Sequence, residues 1–123
     1  MSIRTRLLML LSIISVVASA ASVLEDMELR SKESLARDSA YEMTSVKVFW
    51  GDASFLRECF HENKPLPPPF VIYFEILPDG RLGQTLFEPM TEGAICIRAH
   101  IAERRFPKPP GAYVTKIHMS FNP

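Results

Sequence analysis

The chain has 123 residues, with 14 basic and 14 acidic side chains, so its formal net charge at neutral pH is zero. This length is sufficient for one domain and too short for two domains of ordinary size. A balanced charge does not fit a general nucleic-acid-binding protein, so we expect no nucleic-acid partner.

The first 20 residues have the pattern of a secretory signal peptide. Arg4 and Arg6 precede an apolar run, and Ala18-Ser19-Ala20 supplies the small residues that a signal peptidase requires. Removing 20 of the 123 residues leaves 103, with 12 basic and 14 acidic side chains. The sequence therefore predicts an exported, periplasmic protein. The alternative is an inner-membrane anchor, because residues 7–24 carry no charge and are just long enough to span a bilayer.

Residues 21–45 form a polar lead-in to the domain predicted over residues 46–123. The apolar positions of the lead-in do not make a continuous stripe, so we expect a flexible segment or a frayed helix. Residues 45–51 fit either a strand or a helix. A helix is predicted from residue 52 to residue 63, with Asp52 as its N-cap, and the prolines at 65–69 end it.

Residues Phe70 to Leu77 have the clearest strand pattern, because apolar side chains alternate between two faces. Pro78-Asp79-Gly80 is typical of a tight turn, in which the proline presets φ and the glycine accepts a positive φ. Arg81 to Phe87 is then predicted to return as the second strand of a hairpin.

A second helix is predicted over residues 92–105, with Thr91 as its N-cap and basic residues in its last turn. The proline-rich segment after it ends the helix, and residues 112–121 alternate again as a half-buried final strand. The element order is helix, strand, strand, helix, strand. It predicts an α+β fold in which a three-stranded antiparallel sheet carries two helices on one face, with the last strand beside the first.

Several segments in this order resemble the C-terminal domain of the TonB family of energy transducers. They are Leu56-Arg57-Glu58-Cys59-Phe60, the strand and turn from Phe70 to Arg81, Cys96, Arg105-Phe106-Pro107-Lys108-Pro109, and the closing strand to Phe121. The chain is most similar to the TonB-like domains with a cysteine pair, as in the gliding-motility (AgmX/PglI) group. The resemblance covers residues 52–121.

This resemblance implies a non-catalytic domain of the cell envelope with a role related to transport. TonB domains bind an extended segment of another envelope protein along the last strand, where main-chain hydrogen bonds at a sheet edge supply affinity. The chain lacks a long proline-rich spacer, and its apolar segment lacks the histidine of energised transducers, so we expect a stand-alone binding domain. The partner-binding residues implied are Tyr113, Thr115, Lys116, Ile117, His118, Met119 and Phe121.

Cys59 and Cys96 are the only cysteines, and each lies in one predicted helix on the same face of the sheet. An even cysteine count in an exported chain predicts a disulfide between them, with two buried thiols as the alternative. Two further hypotheses concern a small secreted metal-binding protein or thiol-dependent enzyme. In the first, Cys59, His61, Cys96 and His100 bind a metal. In the second, His100 activates Cys96 as a nucleophile. We expect neither a metal nor a cofactor.

Overall fold

The computed structural model describes residues 22–60 and 66–121. The predicted signal peptide and most of the possible membrane anchor lie outside these residues, as does His61. The helices are α1 (residues 22–37), α2 (Ser39–Trp50), α3 (Phe55–Cys59) and α4 (Glu92–Ile101), and the strands are β1 (Phe70–Ile76), β2 (Leu82–Glu88) and β3 (Tyr113–Met119). The strands form one antiparallel sheet in the order β2-β1-β3. This confirms the predicted α+β class and the position of the last strand beside the first.

The turn between β1 and β2 has the predicted chemistry. The Gly80 amide donates to the Leu77 carbonyl at 2.8 Å, and Gly80 has a φ of 88°. A Cβ atom at this position would lie 2.2 Å from the carbonyl oxygen of Phe106. The Phe106 amide donates in turn to the Gly80 carbonyl at 2.9 Å, so the hairpin turn is bonded to the segment that follows α4.

The main core lies between one face of the sheet and the helices α2, α3 and α4. Its largest fully buried side chains are aromatic, and the Phe49 ring of α2 stacks on the Phe74 ring of β1 with centroids 5.5 Å apart. Phe55 of α3 meets Phe49 edge to face at 5.8 Å. The buried residues of this core come from the sheet, from the three helices and from the loop after α4. They are Tyr41, Phe49, Phe55, Phe70, Ile72, Phe74, Ile76, Phe87, Ala94, Ile97, Ile101, Phe106, Tyr113, Ile117 and Met119.

The opposite face of the sheet is also covered, by α1. Met27 is fully buried there against Tyr73 of β1 and Val114 of β3. The two predicted helices, α3 and α4, lie on one face of the sheet as expected, but within the described residues α2 also packs on that face and α1 packs on the other. Asp38 separates α1 from α2 and caps α2 by accepting from the Tyr41 amide at 3.0 Å, so the chain passes from one face to the other at this residue.

The N-terminal helices differ most from their prediction. Residues 21–45 were expected to be flexible or frayed, whereas α1 and α2 are regular helices and α2 crosses the predicted domain start at residue 46. The sheet-facing stripe of α1 is Met27, Ser31 and Ser34, all less than 6 % exposed. Two of these three residues are serines, so a search for an apolar stripe does not find it.

Two predicted helices are shorter in the structure. The helix predicted over 52–63 is only α3, because the chain turns at Gly51 and at Ala53, both with positive φ, before the helix begins. The helix predicted over 92–105 is α4 and ends at Ile101, although Thr91 caps it as predicted by accepting from the Ala94 amide at 3.2 Å. Residues 104–106 lie beyond the helix, where Arg105 pairs with Arg81 and Phe106 bonds to Gly80, immediately before β2.

Candidate functional site

The outer edge of β3 is the candidate site that the resemblance implies, and most of its side chains are part of the core. Tyr113, Thr115, Ile117 and Met119 are at most 6 % exposed. Lys116 and Phe121 are half-buried, and His118 is exposed. These buried side chains are not accessible to a partner, so a partner at this strand would meet main-chain groups and the side chains of Lys116, His118 and Phe121.

The first half of the β3 edge is covered by α1. The Val114 amide points away from β1 and donates to the Ser34 hydroxyl at 3.0 Å, and the Arg37 guanidinium donates to the Ala112 carbonyl at 3.1 Å. Successive residues of a strand direct their main-chain groups to opposite sides. Lys116 and His118 therefore present their main-chain groups on the same outer side as Val114, beyond the part that α1 covers.

An ionic cluster attaches α1 to the sheet beside this edge. Glu28 of α1 accepts from the Lys116 ammonium at 2.8 Å and also from the Tyr73 hydroxyl. These hydrogen bonds, first the one from Lys116, lower the pKa of Glu28 from 4.5 to about 2, and the bond to Glu28 raises the pKa of Lys116. Two residues further along α1, Arg30 is paired with Glu75 of β1. Both pairs are half-buried, so they are partly protected from solvent screening.

Buried hydroxyl groups attach α2 to β3 on the other face. The hydroxyl groups of Ser45 and Thr115 are 2.8 Å apart and both side chains are fully buried. The Tyr113 hydroxyl donates to the Asp38 carbonyl at 2.7 Å, and the Tyr41 ring packs edge to face on Tyr113 at 4.8 Å. The first half of β3 is thus held from both faces by the junction between α1 and α2.

The outer edge of β2 is a second edge of the sheet, and the sequence did not mark it as a binding site. Tyr73 directs its main-chain groups toward β2, so its partner Leu86 faces β1, and the neighbouring residues Thr85 and Phe87 face outward. Residues 104–106 cover the start of this edge through the bond between Phe106 and the turn. The predicted strand order places β2 at an edge, but the alternation of its side chains does not show whether another segment covers that edge.

A groove beside α1 was also not predicted. It has a volume of about 480 Å³ and lies between α1 and the β1–β2 side of the sheet. Leu29 lines it and is 56 % exposed. The groove exists because α1 lies over β1 and β3 and leaves the β2 side of this face open. No sequence pattern indicated that α1 would pack on this face.

The cysteine prediction is confirmed, since Cys59 of α3 and Cys96 of α4 form a disulfide with Cα atoms 5.6 Å apart. His100 lies one helical turn after Cys96, and its Nε2 is 2.9 Å from a carboxylate oxygen of Glu58. The sulfur of Cys96 is bonded to Cys59, so it is not a nucleophile in this state. His61, the fourth ligand of the metal hypothesis, lies outside the described residues.

Comparison with known proteins identifies no relative of this chain. No protein-family model, curated protein or solved structure matches it. Within residues 22–60 and 66–121, no helix is long and apolar enough to cross a membrane.

Proposed function

We propose that this chain is a non-catalytic binding domain of the cell envelope, similar to the C-terminal domain of TonB and related to transport. It binds an extended segment of an envelope protein by strand addition beside the second half of β3. The observation that carries this proposal is the outward direction of the Lys116 and His118 main-chain groups, next to a first half that α1 covers. Main-chain pairing at such an edge gives affinity with little demand on sequence.

The position of α1 limits how the partner is bound. Ser34 and Arg37 already bond to the outer side of β3 at Val114 and Ala112, so an added strand pairs from Lys116 onward. The exposed His118 side chain and the half-buried Phe121 then lie beside the bound segment and select its side chains. Such a short paired segment fits a transient adaptor better than a permanent assembly.

The periplasm is the compartment that suits this proposal. A disulfide between Cys59 and Cys96 is maintained in an oxidising compartment and is rare in the cytosol. The signal-peptide pattern of the first 20 residues supports the same location.

The test uses peptides selected from a random displayed library on the oxidised full-length protein. We expect bound peptides to slow amide hydrogen exchange at Lys116 and His118. The His118→Pro variant removes one outward amide without disturbing the pairing with β1, and edge strands tolerate proline at such positions. It should weaken peptide binding about tenfold, which corresponds to the loss of one main-chain hydrogen bond.

Two control variants distinguish main-chain pairing at the β3 edge from side-chain contacts of His118 and from pairing at the β2 edge. His118→Ala keeps the amide and removes only the side-chain contact, so it should weaken peptide binding less than His118→Pro does. Thr85→Pro makes the equivalent change at the β2 edge and should leave binding unaltered. If Thr85→Pro abolishes binding and His118→Pro does not, the partner pairs with β2 and the proposed site is wrong.

A further inference from the structure

Three potential metal ligands converge at the contact between α3 and α4. The Sγ atoms of Cys59 and Cys96 and a ring nitrogen of His100 all lie within 4.8 Å of one another. Cys96 and His100 are four residues apart, so they share one face of α4. Ligand atoms around a tetrahedral zinc ion are roughly 3.5–4 Å apart, which small side-chain rotations achieve from this starting arrangement.

We propose that reduction of the Cys59–Cys96 disulfide creates a binding site for one Zn²⁺ ion, with the two thiolates and the His100 imidazole as protein ligands. Thiolate and imidazole together favour zinc over magnesium or calcium, which prefer oxygen ligands. The disulfide and the zinc site are alternative states of the same residues. This inference is independent of strand addition, because the cluster is on α3 and α4 and not at the β3 edge.

Glu58 contacts the histidine of the cluster in the way that carboxylates contact liganding histidines in zinc sites. A carboxylate oxygen of Glu58 is 2.9 Å from Nε2 of His100. A carboxylate bonded to one nitrogen of a liganding histidine orients the ring and increases the basicity of the other nitrogen. Glu58 is therefore a positioning residue in the proposed site.

The cluster is accessible to an ion. A cavity of about 330 Å³ lies beside the disulfide, and its lining includes Glu58, Cys59 and Cys96. Both cysteines are half-buried and the His100 side chain is 33 % exposed. Two of the three proposed ligands, Cys59 and Cys96, line this cavity, so the fourth coordination position of a zinc ion could be taken by water or by a small ligand from the cavity.

The change of state is balanced as a two-electron exchange followed by metal binding. A dithiol reductant gives two electrons and two protons to the disulfide, whose S–S bond breaks to form two thiols, and the reductant becomes a disulfide. Zn²⁺ then binds the two sulfurs as thiolates and displaces their two protons to solvent. Oxidation by a disulfide of higher reduction potential releases the metal and restores the Cys59–Cys96 bond.

The experiment uses full-length protein, reduced with a phosphine in metal-free buffer and titrated with Co²⁺. We expect one Co²⁺ per chain, with a near-ultraviolet charge-transfer band from thiolate to cobalt that Zn²⁺ then removes by displacement. The Cys96→Ser variant should lose most of this band. His100→Ala removes a ligand and should weaken Co²⁺ binding at least about tenfold. Glu58→Gln should weaken Co²⁺ binding about tenfold, which is typical for loss of a group that orients a metal ligand.

Three controls make the outcome decisive. His118→Ala alters an exposed histidine elsewhere and should bind Co²⁺ as the wild type does, and oxidised protein should show no charge-transfer band. If the reduced chain unfolds without metal, Zn²⁺ should restore its native circular dichroism spectrum and thermal transition. The proposal is overturned if reduced protein gives no band and no zinc-dependent refolding. It is also overturned if His100→Ala binds as tightly as the wild type.

Discussion

The hydroxyl of Ser34 accepts a hydrogen bond from the amide of Val114 at 3.0 Å, and this bond closes part of the β3 edge. Both residues are buried, with Ser34 4 % and Val114 1 % exposed. An open sheet edge presents unpaired main-chain groups, and proteins commonly cover such edges with a helix. Here Ser34 of α1 supplies a partner for the strand and marks the end of the part of this edge that α1 covers.

Replacement of Ser34 by alanine should destabilise the protein by about 1–3 kcal/mol. The change leaves the Val114 amide buried without its acceptor, and that desolvation cost exceeds the modest net value of an ordinary hydrogen bond. Urea unfolding measures the free-energy change, and hydrogen exchange should become faster at Val114. The matched control is Ser39→Ala at the exposed start of α2, which should change the free energy of unfolding by less than about 0.5 kcal/mol. Equal effects of the two substitutions would show that the Ser34 bond contributes nothing.

The strands were predictable from the sequence because their apolar side chains alternate, whereas α1 was not, because part of its buried face is made of serines. In β1, Phe70, Ile72 and Phe74 recur at every second position, and this period is unambiguous for a strand. In α1, Ser31 and Ser34 are buried because small side chains allow close packing, and Ser34 also bonds the strand. Burial is predicted from hydrophobicity, so a sequence pattern does not identify the buried face of a helix that packs through serines.

Gly80→Ala should destabilise the hairpin turn by roughly 1–3 kcal/mol, the range for a residue forced into an unfavourable backbone conformation. Gly80 has a φ of 88°, and its new Cβ would lie 2.2 Å from the Phe106 carbonyl oxygen, which belongs to rigid backbone. The control is Gly111→Ala, where an added Cβ meets no atom within 4 Å. Thermal unfolding should show a lower midpoint for the first variant alone. A similar midpoint for both would mean that the turn adjusts at no cost.

The disulfide was predictable from the sequence, and the limits of the proposed binding edge were not. Two cysteines in a chain that is predicted to be exported, one in each predicted helix, leave a single possible pairing, which the structure has between Cys59 and Cys96. The edge depends on where α1 crosses β3, and only the tertiary structure shows that Ser34 reaches Val114 while Lys116 stays beyond it. A sequence motif for strand addition does not report which part of a strand another element covers.

The attachment of α1 to the sheet should weaken in acid. The folded state lowers the pKa of Glu28 from 4.5 to about 2, chiefly through its hydrogen bond to Lys116. A lowered carboxyl pKa stabilises the folded state above the unfolded pKa, and this contribution is lost as the pH falls from about 4.5 toward 2. NMR titration of the Glu28 side chain gives the pKa directly. Glu28→Gln should reduce the loss of stability across this window, and an unchanged profile would contradict the assignment.

Loss of the disulfide should lower the free energy of unfolding by about 4 kcal/mol in the absence of metal, because the bond closes a loop of 37 residues in the unfolded chain. The bond itself can be checked chemically. In denatured, unreduced protein neither cysteine should be alkylated, and reduction should add the mass of two hydrogen atoms. Urea unfolding of the Cys59→Ser, Cys96→Ser double variant, in the presence of a chelator, measures the same loss without a reductant. A double variant as stable as the oxidised wild type would mean that core packing between α3 and α4 holds this end of the domain and that the crosslink adds little to it.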